Sequence, residues 1–149
     1  MLIGMLNREK IKVVLDANWY ISAFISRKSR RTIYYGILSN PDIDVFYSAE
    51  LLEEFEDVIY RIKFAKIMNP SQVQRFKSLI LLRLKRVSIG TISRLVRDVK
   101  DDYLLAICQK VKADYLITGD KDLLVLGSYQ HTRVVTISYF LQILSVEKT

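Results

Sequence analysis

The stretch Thr118-Gly119-Asp120-Lys121-Asp122 constrains this chain more than any other. The apolar-rich segment Asp114-Tyr115-Leu116-Ile117 leads into it, Gly119 turns the backbone, and two carboxylates follow. A helical pattern ends just upstream, at Lys112-Ala113. Helix, buried strand, then acids at the strand's carboxyl end is how an open α/β sheet delivers charge to a crevice. Lys12-Val13-Val14-Leu15 repeats the device, ending in Asp16 with Asn18 two residues on. If the two strands are parallel neighbours, their acids point into one site.

Strands and helices alternate along the rest of the chain. The first strand, about Ile11–Leu15, is apolar throughout, as suits a strand covered on both faces. A short helix over Trp19–Ile25 follows, then a basic loop, Arg27-Lys28-Ser29-Arg30-Arg31, and a second helix over Thr32–Ser39. Ile43–Tyr47 reads as strand two. Ser48 caps the next helix, whose Leu51, Leu52, Phe55, Val58 and Ile59 fall on one face at helical spacing. At 100° per residue Glu54 lies at the edge of that face, whereas Glu53 and Asp57 lie on the far side. A helix over Gln72–Val87 carries Leu79-Ile80-Leu81-Leu82, more apolar surface than one packed face needs. A short strand near Val87–Ile89 or Leu95–Val96, a helix over Asp102–Lys112, the fourth strand, a strand over Arg133–Ile137 and a helix over Tyr139–Val146 capped by Ser138 complete the pattern. The alternation predicts one α/β domain over residues 11–146, after a leader of residues 1–10, with a parallel sheet of four or five strands.

Composition narrows the chemistry. A single histidine, His131, and a single cysteine, Cys108, exclude histidine-ligated and cysteine-rich metal sites and argue against a Ser-His triad. His131 is expected at the surface and Cys108 in the core. No apolar run reaches membrane-spanning length, so the expectation is a cytoplasmic protein with no membrane partner. The net charge of +7 favours a polyanionic partner such as nucleic acid. The basic run Arg27, Lys28, Arg30 and Arg31 is its candidate contact, rimming the crevice. A basic chain that gathers its acids at strand ends builds a negative site inside a positive field. Clustered carboxylates repel and call for cations, and oxygen-only ligands suit Mg²⁺ or Mn²⁺. Asp16, Glu54, Asp101, Asp120 and Asp122 are the candidate ligands. Asn18 and Thr118 are supporting residues, and Asp98 and Asp102 are expected to be solvated or capping.

Taken together, Asp16-Ala17-Asn18, Ser48-x5-Glu54, Asp101-Asp102-Tyr103-Leu104-Leu105-Ala106 and Thr118-Gly119-Asp120-Lys121-Asp122-Leu123-Leu124 resemble the successive motifs of PIN-domain nucleases. The match covers about residues 11–145 and is closest to the bacterial and archaeal toxins of toxin–antitoxin pairs. The resemblance implies a three-layer α/β/α sandwich and a metal-dependent endoribonuclease cutting single-stranded RNA. It also implies an antitoxin that blocks the site, and a homodimer. It places the family's catalytic, metal-holding acids on Asp16, Glu54, Asp101 and Asp120, with Asp122 as a more variable extra ligand. Trp19-Tyr20 stands where small aliphatics are usual, and Cys108 where alanine is usual; both bear on packing or substrate fit. Cleavage by a metal-activated water would leave a 5′-phosphate and a 3′-hydroxyl. A Mg²⁺-dependent phosphatase needs a second aspartate where Asn18 stands. A non-cleaving PIN-like module that binds RNA or a partner would be expected to have lost ligands.

Overall fold

The computed structural model describes residues 9–61, 69–90 and 99–147, with the side chains of residues 99–101 and 147 outside that description. Residues 1–8 of the expected leader, Asp98, and the Leu95–Val96 alternative for a strand therefore lie outside the described residues.

Among the described residues six strands form one sheet in the order β3-β2-β1-β4-β6-β5. They are β1 (Ile11–Leu15), β2 (Ile43–Tyr47), β3 (Lys85–Arg86), β4 (Tyr115–Ile117), β5 (Ser128–Tyr129) and β6 (Thr132–Val135). Five are parallel, as the alternation predicts. The sixth, β5, is a two-residue antiparallel edge that the sequence reading leaves out. β1 is central because it is apolar on both faces: Val13, Val14 and Leu15 are fully buried. From β1 the chain builds outward to β2 and β3, then returns to β1's other side with β4. The junction between β1 and β4 is thus the topological switch point, where an open α/β sheet offers its crevice.

The helices are α1 (Ala17–Ile25), α2 (Arg27–Ile33), α3 (Ala49–Arg61), α4 (Pro70–Leu81), α5 (Val99–Val111), α6 (Lys121–Leu124) and α7 (Ile137–Glu147); a π-helical turn, Tyr34–Leu38, extends α2. With the sheet they make the expected three-layer α/β/α sandwich. In α3, Leu51, Phe55 and Ile59 are buried at i, i+4 and i+8, while Glu53 and Asp57 are exposed. Phe24 of α1, Phe55 of α3 and Phe76 of α4 form an aromatic knot, with centroids 6.3, 5.3 and 5.7 Å apart. Such pairs add roughly 0.5–1.5 kcal/mol each beyond area burial. Among the described residues no helix is long and apolar enough to cross a membrane.

Three boundaries differ from expectation. The basic run Arg27–Arg31 is helical rather than a loop. Ser26 caps it, accepting from the Ser29 N–H at 3.3 Å, and arginine and lysine are good helix formers. α4 starts at Pro70, behind an Asn69–Gln72 capping box, and stops at Leu81 instead of Val87, because Lys85 and Arg86 pair with Phe46 and Tyr47 as β3. In α7 the cap is Thr136, whose Oγ1 accepts from the Tyr139 N–H at 3.2 Å; Ser138 lies inside the helix.

Candidate active site

Asp16 follows the last residue of β1 and caps α1. Its own N–H continues the β1–β4 ladder, donating to the Ile117 carbonyl at 3.0 Å. One carboxylate oxygen, Oδ1, accepts from the Asn18 N–H at 3.0 Å. The other, Oδ2, accepts from the Thr118 hydroxyl at 2.6 Å. Thr118 is fully buried, and its Oγ1 in turn accepts from the Asp120 N–H at 3.0 Å. Thr118 therefore ties the ends of β1 and β4 together: one hydroxyl orients the carboxylate of the first strand and the backbone carrying the acid of the fourth. Asp120 caps α6, its Oδ1 accepting from the Asp122 N–H at 2.8 Å.

Asp16 is only 5 % exposed. Burial raises its pKa above the usual carboxylate value, the Thr118 and Asn18 hydrogen bonds pull it back, and the neighbouring Asp120 charge raises it further. The net direction is upward, so this is a carboxylate held where its charge is unfavourable.

Glu54 is half-buried at the edge of the α3 face, as its helical phase predicts, and accepts a hydrogen bond from the Tyr103 hydroxyl of α5. Tyr103 is thus tied to a candidate acid, a contact that the sequence pattern does not reveal. A tyrosine inside an apolar helical run gives no sign of which carboxylate its hydroxyl will meet.

α5 also brings a correction. Asp102, expected at the surface, is 2 % exposed and sits in an unbroken buried run, Asp102 to Leu105. It is not solvated. Its neighbour Asp101 lies in α5 with a side chain outside the described residues. Asp122 and the Asn18 side chain are exposed. The Arg27–Arg31 group stands on α2, beyond the far end of α1, a nine-residue helix about 14 Å long. Arg30 is already engaged, Nε and Nη2 donating to the Ala23 and Phe24 carbonyls at 3.0 Å each. It closes the carbonyl end of α1 rather than reaching outward. Tyr20, one of the two departures, is 3 % exposed and packs in the core. Cys108 is fully buried and His131 exposed, as expected.

Among the described residues no three acids, histidines or cysteines are close enough to share a metal ion. The donor chemistry nevertheless fits a hard cation: carboxylates and a hydroxyl converge on the switch point, without imidazole or thiolate. A divalent ion there would offset both the desolvation of Asp16 and its repulsion by Asp120.

Comparison with known proteins decides the family. A sequence model of the PIN domain matches residues 12–122, most of the chain and all four acidic segments. The chain belongs to the PIN domain family. No curated protein sequence matches it. Among solved structures, this PIN domain is similar to the crystal structure of PAE2754 from Pyrobaculum aerophilum. The TM-score is 0.59 at 12 % identity, over 92 % of this chain and 90 % of that one. At that identity the likeness speaks for the fold alone. A nuclease-type PIN fold, with the acids of β1 and β4 meeting at its switch point, is thus the frame for function.

Proposed function

We propose that this PIN domain is a Mg²⁺- or Mn²⁺-dependent endoribonuclease that hydrolyses single-stranded RNA, the toxin of a toxin–antitoxin pair, working as a cytoplasmic homodimer. The observation that carries this reading is the Asp16–Thr118–Asp120 junction at the switch point, where a desolvated carboxylate meets a second acid across one hydroxyl. Asp16, Asp120, Glu54 and the acidic pair Asp101-Asp102 of α5 would hold the ion, with Asp122 at the margin. When bound, a divalent ion lowers the pKa of the attacking water and relieves charge at the scissile phosphate and leaving oxygen. Thr118 holds Asp16 in one rotamer, and the Tyr103 hydroxyl does the same for Glu54. Asn18, at the open edge, offers an amide to a phosphate oxygen.

The test incubates purified protein with end-labelled single-stranded RNA, with and without chelator. The expected result is cleavage that needs metal, leaves a 5′-phosphate and a 3′-hydroxyl, and is lost in Asp16→Asn and Asp120→Asn. Cleavage that survives chelator, or that leaves a 2′,3′-cyclic phosphate, would overturn the reading. RNA binding without cleavage at any metal concentration would make the chain a non-cleaving module. Light scattering tests the homodimer, and co-purification with the product of an adjacent small reading frame tests the antitoxin.

A further inference from the structure

Trp19 is the chain's only tryptophan, and it stands within one helical turn of Asp16. Asp16 caps α1, and the Trp19 N–H donates to the Asp16 carbonyl at 2.9 Å. Three residues of helix rise only about 4.5 Å, so the Trp19 backbone stays at the mouth of the crevice. Long side chains on a helix lean back toward its N-terminus. The indole therefore leans toward the Asp16 end of α1 rather than toward Ile25. Beside it the Asn18 side chain is exposed.

Packing accounts for only part of this residue. Its neighbours on α1 divide cleanly: Ala17, Tyr20 and Ile21 are buried and Asn18 is exposed. Trp19 falls between the two sets, half-buried and packed against the core. A buried indole N–H ordinarily finds an acceptor, because leaving it unpaired is costly. Among the described residues no group accepts from the Trp19 indole, and only the Tyr20 hydroxyl is both sealed from solvent and unpartnered. The indole N–H is therefore open to solvent. The core holds the ring on one side, and the ring presents its donor on the other, next to the acids. A position that served packing alone would be filled by the small aliphatic residue usual at this point of the PIN motif.

We infer that Trp19 is a stacking platform for one base of the bound RNA, in the nucleotide adjoining the phosphate that the acids would hold; this rests on the nuclease reading proposed above. Bases of a single strand stack on aromatic side chains whatever their identity, since every base has a π-face. A platform within one turn of Asp16 fixes where the strand lies without reading its sequence. It also favours single strands, because a duplex keeps its bases stacked on one another and offers none to the ring. The indole N–H can donate to a base edge or a ribose hydroxyl. A ring already packed along one side has little rotamer freedom left to lose when the base arrives. Two other occupants fit worse. A metal ion has no use for an indole nitrogen, which only donates. An apolar protein segment would cover the N–H without pairing it, and would have to lie over Asn18 and the acids.

The experiment reads the single tryptophan directly. It uses the full chain in the Asp16→Asn background, which leaves the RNA whole and removes one charge that would repel it. A short oligoadenylate should quench Trp19 fluorescence to saturation, and an abasic ribose-phosphate strand of the same length should not. In the same background Trp19→Leu should weaken binding of fluorescein-labelled oligoadenylate by at least about tenfold in anisotropy, and Trp19→Phe should recover most of the loss. The salt slope should stay the same, because no phosphate contact is removed. With Asp16 restored, Trp19→Leu should raise KM about tenfold and leave kcat within about twofold, since a base held equally in ground and transition states contributes to binding alone. Circular dichroism checks each variant; should Trp19→Leu fail to fold, the quench by oligoadenylate against the abasic strand still decides. RNA that binds without quenching, or an abasic strand that quenches equally, would overturn the inference. So would a Trp19→Leu protein that loses the abasic strand as much as oligoadenylate, which would mark a merely structural role. Metal-dependent cleavage with KM unchanged in Trp19→Leu would overturn the platform and leave the proposed function standing. Base-dependent quenching in a chain that cuts no RNA at any metal concentration would do the reverse. Binding of neither strand would overturn both.

Discussion

Asp16→Asn tests the electrostatics of the site at its centre. Asparagine keeps the shape, can still accept from the Asn18 N–H and can donate to the Thr118 hydroxyl, which has lone pairs to spare. What it removes is a charge that burial and Asp120 make unfavourable. A carboxyl whose folded pKa is raised binds its proton more readily folded than unfolded. Wild-type stability therefore falls as pH rises from the ordinary carboxylate value through the raised one, and the deficit persists above it. Without metal at pH 7.5, the variant should be the more stable protein. Each pKa unit of the rise is worth about 1.4 kcal/mol, or about 3–6 °C of melting temperature in a chain this size. Below the ordinary carboxylate range both side chains are neutral, and the difference should vanish. Added Mn²⁺ should reverse the order. Binding to the folded state alone contributes about 2.7 kcal/mol at a hundredfold excess over Kd, and the variant has lost a ligand. Thermal melts of both proteins, across pH and with and without Mn²⁺, read all three effects. A variant that melts lower than wild type at pH 7.5 without metal would show that the Asp16 charge is net stabilised by its hydrogen bonds, and the reasoning would fail.

Four more outcomes follow from the geometry. Thr118→Val leaves both the Asp16 carboxylate and the Asp120 N–H short of a partner; it should cost about 2–3 kcal/mol by urea unfolding, and a loss below about 0.5 kcal/mol would show that water replaces the hydroxyl. Tyr20→Phe removes a buried hydroxyl that has no hydrogen-bond partner among the described residues, so it should leave stability unchanged or raise it by about 1 kcal/mol, and a clear loss would reveal a hidden partner. Asp102→Asn should lower RNA cleavage by about tenfold or more if the buried acid of α5 serves the metal, whereas unchanged kcat/KM would leave Asp101 as that helix's ligand. The Cys108 thiol is fully buried and pushed up to about 12 by that burial, so a thiol reagent at pH 8 should not label the native protein and should label it fully in denaturant.

What the sequence showed plainly was whatever depends on local pattern. β1 and β4 announce themselves as short apolar runs ending in acids, and their pairing at the switch point follows from alternation and connectivity. Asp16, Thr118 and Asp120 were therefore legible as one cluster. Glu54 was legible because α3 has a polar face, which fixes its phase. α5 has little such contrast where the acids lie. Asp102 to Leu105 are all buried, as are Ile107 and Cys108, so a reading based on apolar spacing fits Asp101 and Asp102 about equally well. One residue is a 100° rotation, enough to turn Asp102 from the expected solvent side into the core. The basic run departs from its expected loop for a different reason. Its charges were visible, but nothing in composition shows that Arg30 turns back to close α1, or that arginines and tyrosines from two helices stack on one another. Those are tertiary facts. They set Arg27, Arg30 and Arg31 along one groove with Tyr34, Tyr35 and Arg83, at the end of α1 opposite Asp16.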